Sequence, residues 1–200
     1  MEQLSSVNKL TIGQKKEWGE ILSGFETKNR YMVADGNGNP MYQVSEEAHS
    51  LLARIFLRAW RPFTMTVFKQ GNQPVLSVKR PFRFYFHEAE VFDGQGQLIG
   101  SIKKRFSILR RVYSVFDPSG QEIYQLYGPL LHPWTFHIRN NGVDYGKITK
   151  KWSGLMKEGF TDADNFGIVF PTEWDIRLKA LFLGTVFLID FVHFENKGNN

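Results

Sequence analysis

Two hundred residues with a formal net charge of +5 are enough for one domain with a sizeable core. The absence of cysteine excludes disulfides, thiolate metal sites, catalytic thiols and S-acylation. The positive balance, which many soluble proteins share, suits an anionic partner, either a lipid surface or nucleic acid, and 18 phenylalanines point to a core built from rings.

Residues 1–20 contain no apolar h-region, so no secretory signal is visible and the stretch reads as an N-terminal extension to a single domain over residues 21–195. Five turn signals then punctuate the chain: "ADGNGNP" near Gly38, "KQGNQP" near Gly71, "FDGQGQ" near Gly96, "FDPSGQ" near Gly120 and "RNNGVD" near Gly142. The last four recur every 22 to 25 residues. Each is flanked by β-branched and aromatic runs, so each unit reads as a β-hairpin. In Phe63-Thr64-Met65-Thr66-Val67 the apolar residues share one face and the threonines the other. Trp134-Thr135-Phe136-His137-Ile138-Arg139 alternates in the same way. Period two with one apolar face marks a sheet that is wet on one side only. Five hairpins give ten strands, and segments around Ile21–Phe25 and Leu155–Phe160 are expected to add two. A meander of that length closes to remove its edges, which gives a mostly β chain with a closed barrel of about twelve antiparallel strands.

The stretch from Asp162 to Glu173 is acidic and partly apolar. Against an EF-hand loop it matches at position 1 (Asp162), 3 (Asp164), 6 (Gly167) and 12 (Glu173). Phe166 and Phe170 fall where oxygen ligands are required, at positions 5 and 9, and Phe166, Ile168 and Phe170 read as one face of a short strand. The metal candidates are Asp162, Asp164, Phe166, Ile168, Phe170 and Glu173. Their ligand count allows at most weak Ca²⁺ binding, and the alternative is a structural turn.

Asp175 to Glu195 reads as a helix, followed by a polar tail over residues 196–200. Its apolar body comprises Lys179, Ala180, Leu181, Phe182, Leu183, Gly184, Val186, Phe187, Leu188, Ile189, Asp190 and Phe191. Only the ten residues from Ala180 to Ile189 are free of charge. That is about 15 Å of helix, against a bilayer core of about 30 Å. Asp175, Lys179, Asp190, His193 and Lys197 fall on one stripe, and nearly everything else is apolar. A helix of this kind is buried on almost all sides. It is read as the core of the barrel, with a membrane segment as the alternative.

Cations cluster in three places. "SIKKRFSILRR" holds Lys103, Lys104, Arg105, Arg110 and Arg111 without an acid; Lys79, Arg80 and Arg83 form a second group, and Lys147, Lys150 and Lys151 a third. The first two groups are candidate contacts for acidic lipid headgroups, the alternative being a solvated sheet face. Nucleic-acid binding would call for aromatics among the cations. Phe106 is so placed, but its spacing suits a core equally well. No GxSxG, Walker loop or HExxH motif occurs, and no enzyme active site is expected.

Five segments resemble the phospholipid scramblase family: "GFETKNRY" (Gly24–Tyr31), "RPFTMTVF" (Arg61–Phe68), "KRPFRF" (Lys79–Phe84), "GKITKKWSGLMKEGFTDADNFGIVFP" (Gly146–Pro171) and "KALFLGTVFLIDFVHFE" (Lys179–Glu195). The resemblance implies a tubby-like (LURP-one-related) fold, a closed twelve-stranded barrel around a hydrophobic C-terminal helix. It implies Ca²⁺-responsive movement of phospholipid between leaflets, or binding of acidic phospholipid, by a cytoplasmic protein associated with the plasma membrane. It places the family's Ca²⁺ segment at Asp162–Glu173 and its membrane segment at Lys179–Phe194. "RPFRFYFHEAEV" lacks the cysteines that carry palmitate in better-known members, which weakens stable anchoring. The alternative is a soluble tubby-like module that binds protein or nucleic acid without scrambling.

Overall fold

A computed structural model describes residues 1–14, 30–47, 62–82, 86–150 and 165–194. Its strands are β1 (Lys9–Gln14), β2 (Arg30–Asp35), β3 (Pro40–Glu46), β4 (Phe63–Lys69), β5 (Gln73–Arg80), β6 (Glu88–Asp93), β7 (Leu98–Lys104), β8 (Arg111–Phe116), β9 (Glu122–Gly128), β10 (Thr135–Asn140), β11 (Val143–Lys150) and β12 (Phe166–Val169). Each pairs antiparallel with its neighbours in the chain, and β1 pairs with β12, so the sheet closes on itself as a twelve-stranded barrel.

The five turn signals are its five tight hairpins. Gly38, Gly71, Gly96, Gly120 and Gly142 all have positive φ, as do Asn72 and Asn141 beside two of them. Three of these turns share one chemistry. Asp35, Asp93 and Asp117 each accept from the backbone N–H two and four residues on, at 2.8–3.0 Å, which fixes the turn before the second strand begins.

Residues 21–25 and 155–160 lie outside the described residues, as does the tail at 196–200; the barrel is completed by β1 and β12. The stretch taken for an N-terminal extension is therefore partly barrel wall. Leu10 and Ile12 alternate into the core and are fully buried, and register Leu10↔Ile168 and Ile12↔Phe166 zips β1 to β12. Phe166 and Ile168 point inward, as their spacing required.

The barrel is filled by α1 (Ile176–His193), the only α-helix among the described residues. Asp175 caps it, accepting from the Leu178 amide at 2.8 Å. Every residue from Lys179 to Phe191 is buried. The helix packs most closely on β5, β6 and β7. At Gly184 a Cβ would stand 2.7 Å from Val91 and 3.0 Å from Val78, so glycine is what lets the helix approach that wall. No helix among the described residues is long and apolar enough to cross a membrane. The membrane-segment alternative gives way to the core reading, because Lys179 and Asp190 cut the apolar run short and the barrel supplies a partner for each.

The Lys179 ammonium is fully buried and donates to the carbonyls of Leu4 (3.1 Å), Ser5 (2.9 Å) and Thr172 (2.8 Å). Burial lowers its pKa, and Glu173 and Asp175 act to raise it. It pins the 3-10 turn Glu2–Leu4 over one end of the helix. At the other end Asp190 accepts from Tyr31, and Tyr113 Oη lies 2.7 Å from His193 Nε2. The polar stripe of the helix thus meets buried partners at both mouths of the barrel.

Candidate lipid-facing site

Up-and-down topology gives the barrel two unlike ends. All five tight hairpins lie at one end, together with the start of α1. At the other end are the longer connections, including those that hold residues 81–82 with 86–87, residues 105–110 and residues 129–134. These three segments carry Phe82, Phe86, Phe106, Ile108, Leu109, Leu130, Leu131 and Trp134, eight of the ten exposed large hydrophobic residues among those described. Ile108 and Leu131 are each 85% exposed and Phe106 is 80% exposed. Segregation to one end marks an interaction surface rather than scattered surface apolarity.

The predicted cations converge on this same end, but not as one patch. Lys79, Lys103, Arg105 and Arg110 are exposed. Lys103 lies 3.7 Å from Glu88, and Arg105 bonds Glu122 at 3.2 Å and Ser114 at 3.3 Å. Arg110 sits over Tyr127, and Lys79 over Phe92. Arg80 is a correction: it is 2% exposed, inside the barrel, stacked on Phe191 at 4.6 Å with NH2 2.6 Å from His87 Nδ1. The reason is the pleat. Val78 points inward, so Lys79 points out and Arg80 points in. Arg111 is half-buried and donates to the carbonyls of Pro133, His132 and Pro129, which ties down the loop that carries Leu130 and Leu131. Lys104 is half-buried and faces inward. Arg83 lies outside the described residues. In the third group, Lys147 is exposed, Lys150 pairs with Asp190 at 3.7 Å, and Lys151 lies outside the described residues.

His87 was missed by sequence reasoning. Burial, then Arg80 and Lys104, lowers its pKa to about 4, so it stands neutral among cations. Only its parity with the inward Ala89 could have flagged it.

The residues at Asp162–Glu173 do not fit a closed Ca²⁺ cage. Phe166, Ile168 and Phe170 are core side chains without oxygen donors, and β12 is hydrogen-bonded to strands on both sides. Glu173 is exposed, beyond the far end of β12. Four extended residues span about 13 Å, whereas donors to one Ca²⁺ all lie within 2.3–2.6 Å of it. Asp162 and Asp164 lie outside the described residues. Among the described residues no three His, Asp or Glu side chains group as a metal site.

A closed twelve-stranded barrel wrapped on a buried C-terminal helix is the tubby-like fold that the family resemblance implied. A solved structure from Arabidopsis thaliana shares this fold with a TM-score of 0.53 at 13% identity, over 94% of this chain and 93% of that one. A family model described as Scramblase matches residues 1–196. Phospholipid scramblase 1 of Mus musculus is 32% identical over 213 residues, covering 100% of this chain and 65% of that protein. Phospholipid scramblase 2 of Bos taurus is 32% identical, covering 98% of this chain and 71% of its own length. Phospholipid scramblase family member 5 of Homo sapiens is 29% identical over 98% of this chain. The chain belongs to the scramblase family and spans 65% of the length of the mouse relative and 63% of that of the rat scramblase 1.

Proposed function

We propose that this chain is a phospholipid scramblase-like, non-enzymatic protein that binds acidic phospholipid at a membrane surface. One observation carries the reading: the long-loop end of the barrel presents eight exposed apolar side chains beside exposed cations. Apolar tips of this kind seat at the boundary between headgroups and acyl chains, and each nearby cation adds about 1 kcal/mol against an anionic leaflet. The cytoplasmic face of the plasma membrane supplies such a leaflet. The barrel interior is filled by α1, so among the described residues one copy of this chain offers no polar path through the barrel. Binding is the elementary act of this chain, and translocation requires more than a single closed barrel.

The test is sedimentation with phosphatidylserine and with phosphatidylcholine vesicles, alongside reconstitution into liposomes bearing labelled lipid, with and without Ca²⁺. Binding to the anionic vesicles that falls with salt, and falls again in Ile108→Asp with Leu131→Asp, is the expected result. Equal indifference of the wild type to both vesicle types would remove lipid from the reading and leave a protein or nucleic-acid partner.

A further inference from the structure

Four core residues on successive strands, Val78 of β5, Ala89 of β6, Ile102 of β7 and Tyr113 of β8, are fully buried. One inward step closer to the long-loop end stand Arg80, His87, Lys104 and Arg111. Period two therefore delivers a basic side chain to the barrel mouth from each of four neighbouring strands. Lys104 lies directly across from His87, its amide donating to the His87 carbonyl at 2.8 Å.

We propose that this mouth binds the phosphate of an anionic phospholipid headgroup, with Lys104 and His87 as the donors. The inference rests on the membrane-docking reading above and deepens it.

The donor inventory selects these two. Arg111 is committed to three loop carbonyls, and Arg80 gives one guanidinium nitrogen to His87 and lies on the Phe191 ring, while its Nε, which makes no hydrogen bond among the described residues, is closed off by burial. A guanidinium only donates, so His87 Nδ1 accepts from Arg80. The neutral ring then carries its proton on Nε2, and no acceptor for that proton occurs among the described residues. The Lys104 ammonium likewise has no carboxylate or hydrogen-bond partner among them. Burial and the Arg111 charge lower its pKa, which shows how closely the cations are crowded. Among the described residues two acids face inward at this end of the barrel. Asp190 is held by Tyr31 and Lys150, on β2 and β11, and Glu46 lies on β3. Both are removed from the β6–β7 wall. Two unused donors in a positive field fit the oxygens of a phosphate, whose charge the neighbouring cations balance. Phe82, Phe86, Phe106, Ile108 and Leu109 flank the mouth, where the acyl chains of such a lipid would lie.

The test uses the full chain. Dihexanoyl phosphatidic acid, kept below its micelle concentration, is titrated by calorimetry, with inorganic phosphate and dihexanoyl phosphatidylcholine as separate arms. The His87 ring is followed by NMR across pH. The proposal expects saturable binding of the phosphatidic acid. It also expects the His87 midpoint to rise by about one pH unit or more, because a bound anion favours the imidazolium against Arg80, Lys104 and Arg111. Lys104→Gln should weaken binding at least about tenfold, the loss of a charged hydrogen bond, while Lys104→Arg largely restores it and Lys69→Gln, exposed at the opposite, hairpin end of the barrel, leaves it unchanged. Thermal melts confirm that each variant is folded. An unmoved His87, or equal affinity of Lys104→Gln, overturns the site. Inorganic phosphate binding as tightly as the lipid overturns the headgroup assignment. Vesicle sedimentation separates the two ideas. Wild-type docking on phosphatidic acid vesicles that Lys104→Gln fully retains, without saturable short-chain binding, sinks the site and keeps docking. Short-chain binding without vesicle docking does the reverse.

Discussion

The Tyr31 hydroxyl donates to Asp190 Oδ2 at 2.8 Å, joining the second strand to the last turns of the helix across 159 positions of sequence. Lys150 approaches the other carboxylate oxygen at 3.7 Å, its ammonium over the rings of Phe166 and Phe194. The charge that disqualifies α1 as a membrane span is thus the one that fixes it in the barrel.

Asp190→Leu should therefore destabilise the fold by about 3–5 kcal/mol, since it takes the carboxylate away from a half-buried ammonium and a buried hydroxyl. Asp190→Asn keeps an acceptor for Tyr31 and should cost clearly less. Urea unfolding midpoints compare the two. Equal, small losses would mean that the carboxylate is dispensable to the packing.

Gly184→Ala tests the fit of helix to wall. In an exposed helix this change gains about 1 kcal/mol, through helix propensity. Here the new methyl meets Val91 and Val78, and overpacking costs about 1–3 kcal/mol, so net destabilisation is expected. Phe187→Ala, which removes a ring 5.3 Å from Tyr31, should cost about 3–5 kcal/mol through its cavity. A lipid anchor would tolerate both. A raised thermal midpoint in Gly184→Ala would show that the wall yields.

His87 sets a pH limb. Its folded pKa is about 4 against an ordinary 6.5, so the folded state binds fewer protons than the unfolded state between those values. Its contribution is present above about pH 6.5 and is lost as pH falls towards 4. His87→Gln should flatten this part of the stability profile relative to the wild type. Parallel profiles for the two proteins between pH 4 and 7 would refute the assignment.

Much of the fold was legible because its signals are local. An Asp followed by Gly three residues on, or an Asn beside a Gly, fixes a turn without reference to the rest of the chain, and Phe63, Met65 and Val67 display their shared face directly. β1 was not legible, because Leu10 and Ile12 alone, between polar neighbours, gain meaning only from pairing with β12. The basic site was half legible. Lys79-Arg80 and Lys103-Lys104 read as doublets, but a strand sends adjacent side chains to opposite faces. Each doublet therefore splits into one outer cation and one at the mouth, and a tally of charge along the chain cannot show it. Phe106 spaced like a core residue yet is exposed, because the chain leaves β7 before reaching it.

Ca²⁺ affinity should be weak, about 10⁻⁴–10⁻³ M or poorer, because the apolar positions of β12 exclude a full oxygen shell. Glu173→Gln should leave that affinity unchanged, whereas Asp162→Ala with Asp164→Ala should abolish it. Calorimetry on the three proteins decides, and a submicromolar constant for the wild type would overturn the expectation.

The helix that fills the barrel follows all twelve strands in the chain. On a ribosome, every wall segment emerges before the core that it must enclose. The inner faces of β4 to β10 have no filler until residues 176–193 arrive, so barrel closure waits for the helix to emerge. During that interval the uncharged run Ala180–Ile189 is itself uncovered. A cell's insertion machinery meets it then as a short apolar segment between a lysine and an aspartate. Folding of this chain is in that sense a race between capture by its own strands and capture by a membrane.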